Sequence, residues 1–233
     1  MRAGIIAAGE GSRLKSDGIA CPKPLVPIDG VPLIERLLRT FVRSGITSVV
    51  CIVNENSLEI KKFVEDRQFG IPVQFVVKTT PSSMHSLFEL SPYLMDGPFL
   101  LSTVDSVFSE DEFVTFLQCA RDRARVSDGV LAVTDFIDDE NPLFVQLEKE
   151  SDCISSFSKT ETAHLVTGGL YVFSPRIFDE KETVLTLRIN RLRNFLSHLT
   201  HRGYRLEVYR FSKIIDVDRL HDITVAENFL RAH

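Results

Sequence analysis

The four cysteines, Cys21, Cys51, Cys119 and Cys153, form no C-x-x-C pair, and no histidine stands at zinc-ligand spacing from them. That excludes a zinc ribbon or a thioredoxin-type redox motif and predicts free thiols in a reducing compartment. No apolar run approaches the roughly 18 residues that a spanning helix needs, so no membrane partner is expected. The N-terminus lacks the small-residue cleavage pattern of a signal peptide, which makes cytoplasm the expected location. Net charge is −5, from 27 Lys and Arg against 32 Asp and Glu, so the basic footprint of a nucleic-acid binder is missing. Linkers, internal repeats and low-complexity stretches are absent too. Two familiar phosphate loops are also missing. The dinucleotide fingerprint G-x-G-x-x-G fails because Leu14 stands where the third glycine belongs, and no Gly-Lys-Ser/Thr completes a P-loop.

What remains is an ordinary globular composition. The chain has 233 residues, 44% hydrophobic and 25% charged, enough for one domain over 1–233 with a sizeable core. Strand-like and helix-like segments alternate. Apolar runs predict strands over 5–8, 48–54, 73–77, 99–105, 129–136, 143–148, 168–173 and 204–211. Helical spacing predicts helices over 33–42 (Gly45 as C-cap), 57–63, 84–94, 110–125, 185–199 and 222–231. Such alternation predicts an α/β fold, Rossmann-like and doubly wound, with a mainly parallel (mixed) sheet and helices on both faces.

The most informative stretch is Gly4 to Pro27, GIIAAGEGSRLKSDGIACPKPLVP. A short buried strand opens into Gly9-Glu10-Gly11-Ser12-Arg13, then reaches Pro22-Lys23-Pro24. Glycines let successive backbone N–H groups close on an anion with no Cβ in the way. Arg13 can fork two donors onto phosphate oxygens, and Lys23, aimed by flanking prolines, brings a compact charge. In an open α/β sheet, ligands bind beyond the carboxyl ends of the strands. The glycine loop, Asp105 and the loop after Val77 all fall there.

The strings A-A-G-x-G-S-R-L, P-K-P-L-V-P and G-x-P-L-I resemble the signature of nucleotidyltransferases that make nucleotide-sugars and related activated alcohols. The resemblance is close over residues 3–38 and returns at four later places. It implies the nucleotide-diphospho-sugar transferase type of fold. It also implies a reaction in which an NTP meets a phosphorylated small-molecule acceptor and pyrophosphate leaves, with Mg²⁺ as cofactor. Two anionic reactants must be held together in line, which asks for lysine, arginine and a divalent cation on carboxylates.

On that resemblance, Ala8, Gly9, Gly11, Ser12, Arg13, Lys23 and Ser83 would bind the nucleotide, and Arg13, Lys23 and Asp105 would be catalytic. Asp105 and Asp216 would hold the metal, with Asp218, two residues on, as the reserve. Val104 replaces the glycine that usually precedes the metal aspartate. Lys159 would take the acceptor phosphate and Gly169 would bring backbone to the acceptor. Ser158 and Thr167 depart there from the family's Glu and Asn. The loop Thr80-Pro81-Ser82-Ser83-Met84-His85-Ser86-Leu87 lacks the usual Gly-Thr of sugar-nucleotide enzymes and looks more like cytidylyltransferases that activate phosphocholine. Ser83 and Ser86 are equally suited to capping the helix that starts there, and His85 reads as a loop histidine.

Sugar 1-phosphate is therefore the first expectation for the acceptor, with phosphocholine-like alcohol phosphates second. Transfer to molybdopterin, whose enzymes share a similar first loop, is disfavoured by the full P-K-P-L-V-P string. A nucleotide-binding homologue without activity stays as an alternative, and the sequence leaves a homo-oligomer open.

Overall fold

The computed structural model describes residues 1–138, 140–161 and 163–232, in the alternating order that the pattern predicts. The first half runs β1 (Arg2–Ala7), α1 (Ser12–Ser16), the ribbon β2 (Pro27–Ile28) and β3 (Val31–Pro32), α2 (Leu33–Arg43), β4 (Ser48–Val53), α3 (Leu58–Arg67), β5 (Val73–Val77) and α4 (Ser83–Leu90). Then come β6 (Phe99–Thr103), β7 (Ser106–Phe108), α5 (Glu110–Arg123), β8 (Gly129–Thr134), β9 (Phe144–Leu147), β10 (Ile154–Ser158) and β11 (Leu165–Phe173). The chain closes with α6 (Lys181–Thr186), α7 (Leu192–His201), β12 (Leu206–Arg210), β13 (Ile214–Asp216) and α8 (Leu220–Arg231).

Among the described residues, nine strands form one mixed sheet. Its path is β10-β9-β11-β6-β1-β4-β5, with β8 paired to β11 and β12 paired to β8. The block β6-β1-β4-β5 is parallel, and β11 joins it antiparallel to β6. Because successive side chains on a strand face opposite ways, each central strand serves two cores. Ala3, Ile5 and Ala7 pack with Leu37, Leu38 and Phe41 of α2 and Phe113 and Phe116 of α5. On the opposite face Ile6, Ile52, Phe99 and Leu101 pack with Met84 and Leu87 of α4 and Phe195 and Leu196 of α7. Helices on both faces follow directly from strands that are apolar on both faces.

The strand order reverses about β1: β4 and β5 lie on one side, β6 on the other. The carboxyl ends of β1 and β6 therefore flank a crevice, where a ligand belongs in an open α/β sheet. A second ribbon closes it. β13 runs antiparallel to β7, pairing Asp216 with Ser106, and a small third core of Leu14, Val26, Ile28, Val107, Ile215 and Phe229 holds this ribbon over the glycine loop.

Several boundaries differ from the sequence pattern. The helix expected over 185–199 is two helices, α6 and α7, because Arg188 (φ 54°) and Arg191 (φ 69°) break the right-handed path between them. The segment expected as a helix over 84–94 ends as α4 at Leu90 and continues as a 3-10 turn, Ser91–Tyr93. The strand expected over 99–105 stops at Thr103, and Val104 and Asp105 form a turn into β7. β11 starts at Leu165, three residues before the expected start, and carries a bulge between Thr167 and Tyr171.

Candidate active site

β1 ends at Ala7 and the chain turns through Gly9 and Gly11 into α1. Gly11 sits at φ 59°, and a Cβ there would come within 3.1 Å of the Lys23 Cβ, so the turn needs glycine on both counts. This contact seats Lys23 under the loop. Pro22 and Pro24 frame a 3-10 turn that leaves only 8% of Lys23 exposed.

Lys23 Nζ makes ion pairs with Asp105 and with Asp218. Asp218 also accepts a hydrogen bond from Arg13 at 2.5 Å, and Arg13 lies 3.7 Å from Glu140. The two cations read from the glycine stretch are thus joined by one carboxylate from the far end of the chain. Backbone contacts hold this arrangement. Val217 N–H donates to the Asp105 carbonyl (3.1 Å), and the Asp222 carboxylate accepts the N–H groups of Asp218 (2.8 Å) and Arg219 (2.6 Å) at the start of α8.

Burial disfavours the Lys23 ammonium, but Asp105, Asp216 and Asp218 outweigh it and hold its pKa above the ordinary lysine value. Burial equally disfavours the Asp105 carboxylate; the charge and hydrogen bond of Lys23 outweigh it and keep the carboxyl below its usual range. The Tyr171 hydroxyl is pushed up to about 12, first by burial and then by Asp216 and Asp105, so it stays a neutral donor.

The cleft has two halves. The first, about 370 Å³, is lined by Gly9, Gly11, Ser12, Arg13, Lys23 and Asn141. The second, about 400 Å³, is lined by Pro81, Ser82, Leu143, Thr167, Gly169, Tyr171 and Arg191. Ser83, Thr103, Asp105, Arg193 and Asp216 line both and mark the junction. One half suits the polyphosphate of a nucleotide and the other a small polar partner.

Most expected residues converge on this cleft: Gly9, Gly11, Ser12, Arg13, Lys23, Ser83, Asp105, Asp216 and Gly169 all line it. Ala8 instead packs partly buried against the core behind the loop. Lys159 is exposed just past the end of β10 and is not among the lining residues. Gly169 has a packing reason of its own: at φ 76°, its Cβ would fall 2.3 Å from Ser106 Oγ and 2.4 Å from Thr103 Oγ1. Its neighbour Gly168 lets Ile214 cross, since a Cβ there would sit 2.2 Å from Ile214 Cδ1. Asp218, held in reserve by the sequence reading, is the carboxylate that bridges both cations.

The serines of the 80–87 loop serve a helix, but not the expected one. Ser82 Oγ accepts the Arg191 N–H (3.1 Å) and Ser83 Oγ the Leu192 N–H (3.3 Å), capping α7, while α4 has no side-chain cap. Ser82 also bonds His85 Nδ1 at 2.9 Å. Ser86 is buried against Thr80 (2.6 Å), away from the cleft. Arg191 and Arg193 were missed by sequence reasoning. The one available signal was two arginines, one residue apart, within a run read as continuous helix.

Among the described residues no group of three or more His, Cys, Asp or Glu side chains is arranged to hold a metal. A two-carboxylate site is what Mg²⁺ uses when phosphates and waters complete its shell. Asp105 suits that role: Oδ2 pairs with Lys23, while Oδ1 is buried with no hydrogen-bond partner among the described residues. Asp216 faces the same junction from the adjacent strand. No helix among the described residues is long and apolar enough to cross a membrane.

Known proteins fit this architecture. The chain superposes on an inositol-1-phosphate CTP transferase from T. maritima with TM-score 0.80 at 21% identity, covering 97% of this chain and 93% of that one. It superposes on a nucleoside-diphosphate-sugar pyrophosphorylase from Vibrio cholerae RC9 with TM-score 0.75 at 20% identity, covering 98% and 100%. In sequence it is 26% identical over 196 residues to a mannose-1-phosphate guanyltransferase of Gibberella zeae, covering 78% of this chain and 52% of that protein. It is 25% identical over 183 residues to a D-glycero-alpha-D-manno-heptose 1-phosphate guanylyltransferase of Campylobacter jejuni, covering 77% and 79%. The chain spans about half the length of the mannose-1-phosphate relatives. With residues 3–201 matching the family model, a span that includes the glycine loop, Lys23, Asp105, Arg191 and Arg193, the chain belongs to the MobA-like NTP transferase domain family.

Proposed function

We propose that the protein transfers a nucleotidyl group from an NTP to a phosphorylated acceptor, with a sugar 1-phosphate as the favoured acceptor and pyrophosphate as the second product. The observation that carries this is the buried Lys23, bracketed by Asp105 and Asp218 under the glycine loop, with Asp105 also lining a second polar cavity. The relatives that act on sugar 1-phosphates support the choice of acceptor. Among the described residues the acceptor half is lined by two arginines and one aromatic ring, Tyr171, and the sequence has no tryptophan. That lining suits a neutral or anionic polyol and disfavours a quaternary ammonium, which binds against aromatic faces.

In this reading an oxygen of the acceptor phosphate attacks the α-phosphorus in line. A new P–O bond forms, the α–β bridging P–O bond breaks, and its electron pair leaves with pyrophosphate. The loop N–H groups at Gly9–Ser12 and the Arg13 guanidinium hold the leaving phosphates. Lys23 stands beside the α-phosphate, where it stabilises charge that grows in the transition state. Arg193, at the junction, orients the attacking phosphate. No side chain need act as base, because that phosphate is already ionised. Asp105 and Asp216 would hold Mg²⁺, which when bound neutralises phosphate charge and lowers repulsion between the reactants.

The test is a pyrophosphate-release screen of each NTP against a panel of sugar 1-phosphates with Mg²⁺. Turnover on at least one pair, reduced at least ~10²-fold in Asp105→Asn, is the expected result. Nucleotide binding with no turnover on any pair would instead mark a binding protein that kept the fold.

A further inference from the structure

We infer that the acceptor carries a second anionic group besides its reactive phosphate, and that Arg191 is the residue that reads it. This rests on the nucleotidyl-transfer reading above and adds to it the class of acceptor. The two arginines of the cleft are placed differently. Arg193 lines both halves and stands at the junction with Asp105, whereas Arg191 lines only the acceptor half. A single forked guanidinium satisfies one phosphate. A second, set further out in the same cavity, is left for another anion.

Charge bookkeeping agrees. Of the three cations that line the nucleotide half, two are already paired with acids, Arg13 with Asp218 and Lys23 with Asp105 and Asp218, and the third is Arg193. Among the described residues, neither Arg191 nor Arg193 has an acidic partner within ion-pair distance. The carboxylates of this cavity, Asp105 and Asp216, stand at the junction with Arg193, so Arg191, which lines only the acceptor half, is the cation left for an anionic group other than the reactive phosphate.

Backbone geometry makes Arg191 a built feature. It holds φ 69° and ψ 139°, a region that L-residues rarely adopt, and its N–H is fixed by Ser82 Oγ at 3.1 Å. Ser82 is itself bonded to His85 Nδ1, and the next N–H in the chain, of Leu192, is fixed by Ser83. Arg191 is exposed, yet its backbone is anchored, and strain of this kind collects at binding sites. The cavity of about 400 Å³ has room for a hexose with a substituent.

The experiment compares glucose 1-phosphate with glucuronic acid 1-phosphate and glucose 1,6-bisphosphate, in wild type and Arg191→Ala, with each NTP and Mg²⁺. The acceptors with a second anionic group are expected to have the higher kcat/KM, by about tenfold or more, the scale of one charge-assisted contact. Arg191→Ala should collapse that preference, and Arg191→Lys should restore part of it. Equal or higher kcat/KM for glucose 1-phosphate, or an equal loss for both acceptor classes in Arg191→Ala, overturns the assignment. The second result would place Arg191 on the reactive phosphate. If no pair turns over, calorimetric binding of the same three compounds decides separately: equal affinities, or affinities indifferent to Arg191, overturn the inference.

Discussion

Lys23 and Asp218, separated by 195 positions in sequence, are joined in one ion pair beneath the glycine loop. The pair ties the first βα unit of the chain to its last strand–helix connection, so the site's electrostatics and the closure of the fold share a contact. Asp105 is the third member, from the middle of the chain.

Removing Lys23 should therefore cost stability as well as activity. Lys23→Met leaves Asp105 with a buried, uncompensated charge. Breaking a buried pair on one side costs about 3–5 kcal/mol, and the figure should be nearer 2–3 here because Asp218 is a third exposed and keeps water. Urea unfolding measures this. If the folded state is as stable as wild type, the pairing does not exist in solution.

The pH dependence follows from the same three groups. The Asp105 pKa is held down in the folded state, so its contribution is complete above the unfolded value of about 3.9 and is lost as pH falls through the lower folded value. The Lys23 pKa is held up, so its contribution is complete below about 10.4 and is lost only as pH rises through the higher folded value. These two groups should thus leave the melting temperature flat from about pH 5 to 9 and weaken the fold at both extremes. Lys23→Met should flatten the acid limb, because Asp105 then gains no favourable partner on ionising. An acid limb as steep as wild type would assign the loss to other carboxylates, of which Glu180, held low by its hydrogen bond to His198, is the first candidate.

How much of this was legible is clearest from particular residues. The loop from Gly9 to Lys23 was readable because its chemistry is local: a buried strand, two glycines, then cations within a short span. The two-faced strands were readable because burial on both sides leaves continuous apolar runs. The break between α6 and α7 was not. Leu185, Leu192, Phe195, Leu196 and Leu199 keep helical spacing across it, while the groups that cap the second helix come from serines 109 positions away. Periodicity cannot report a cap supplied by another segment. A motif match likewise does not report where the fold puts a side chain: Lys159 stands exposed beyond β10, whereas Arg191 and Arg193, which carry no motif, line the cleft.

Gly169 offers a sharper test of the junction. Gly169→Ala must hold a Cβ at φ 76° and within 2.4 Å of two hydroxyl oxygens, those of Ser106 and Thr103. The left-handed backbone alone costs about 1–2 kcal/mol and overpacking adds about 1–3. Thermal unfolding should report a loss of at least about 2 kcal/mol, and turnover should fall, since Thr103 neighbours Asp105. Adding Ser106→Gly should recover only part of the overpacking, because the clash with Thr103 Oγ1 remains. Full recovery in the double variant would show that backbone conformation contributes nothing.

The paired caps on α7 separate positioning from folding. Ser82→Ala and Ser83→Ala each remove one side-chain acceptor from the start of that helix, a loss of about 1 kcal/mol by the usual cost of a cap. Together they should destabilise the protein by about 2 kcal/mol, which a domain of this size tolerates. The kinetic effect should be lopsided. Both serines fix the backbone from which Arg191 and Arg193 project, so KM for the acceptor should rise several-fold, while KM for the NTP, held by the loop and Lys23 on the other half of the cleft, should change little. Ser83→Thr, which keeps a hydroxyl at the same position, should preserve the acceptor KM. Equal increases in both constants would mean that the serines act on the cleft as a whole, through the base of the nucleotide as well as through α7.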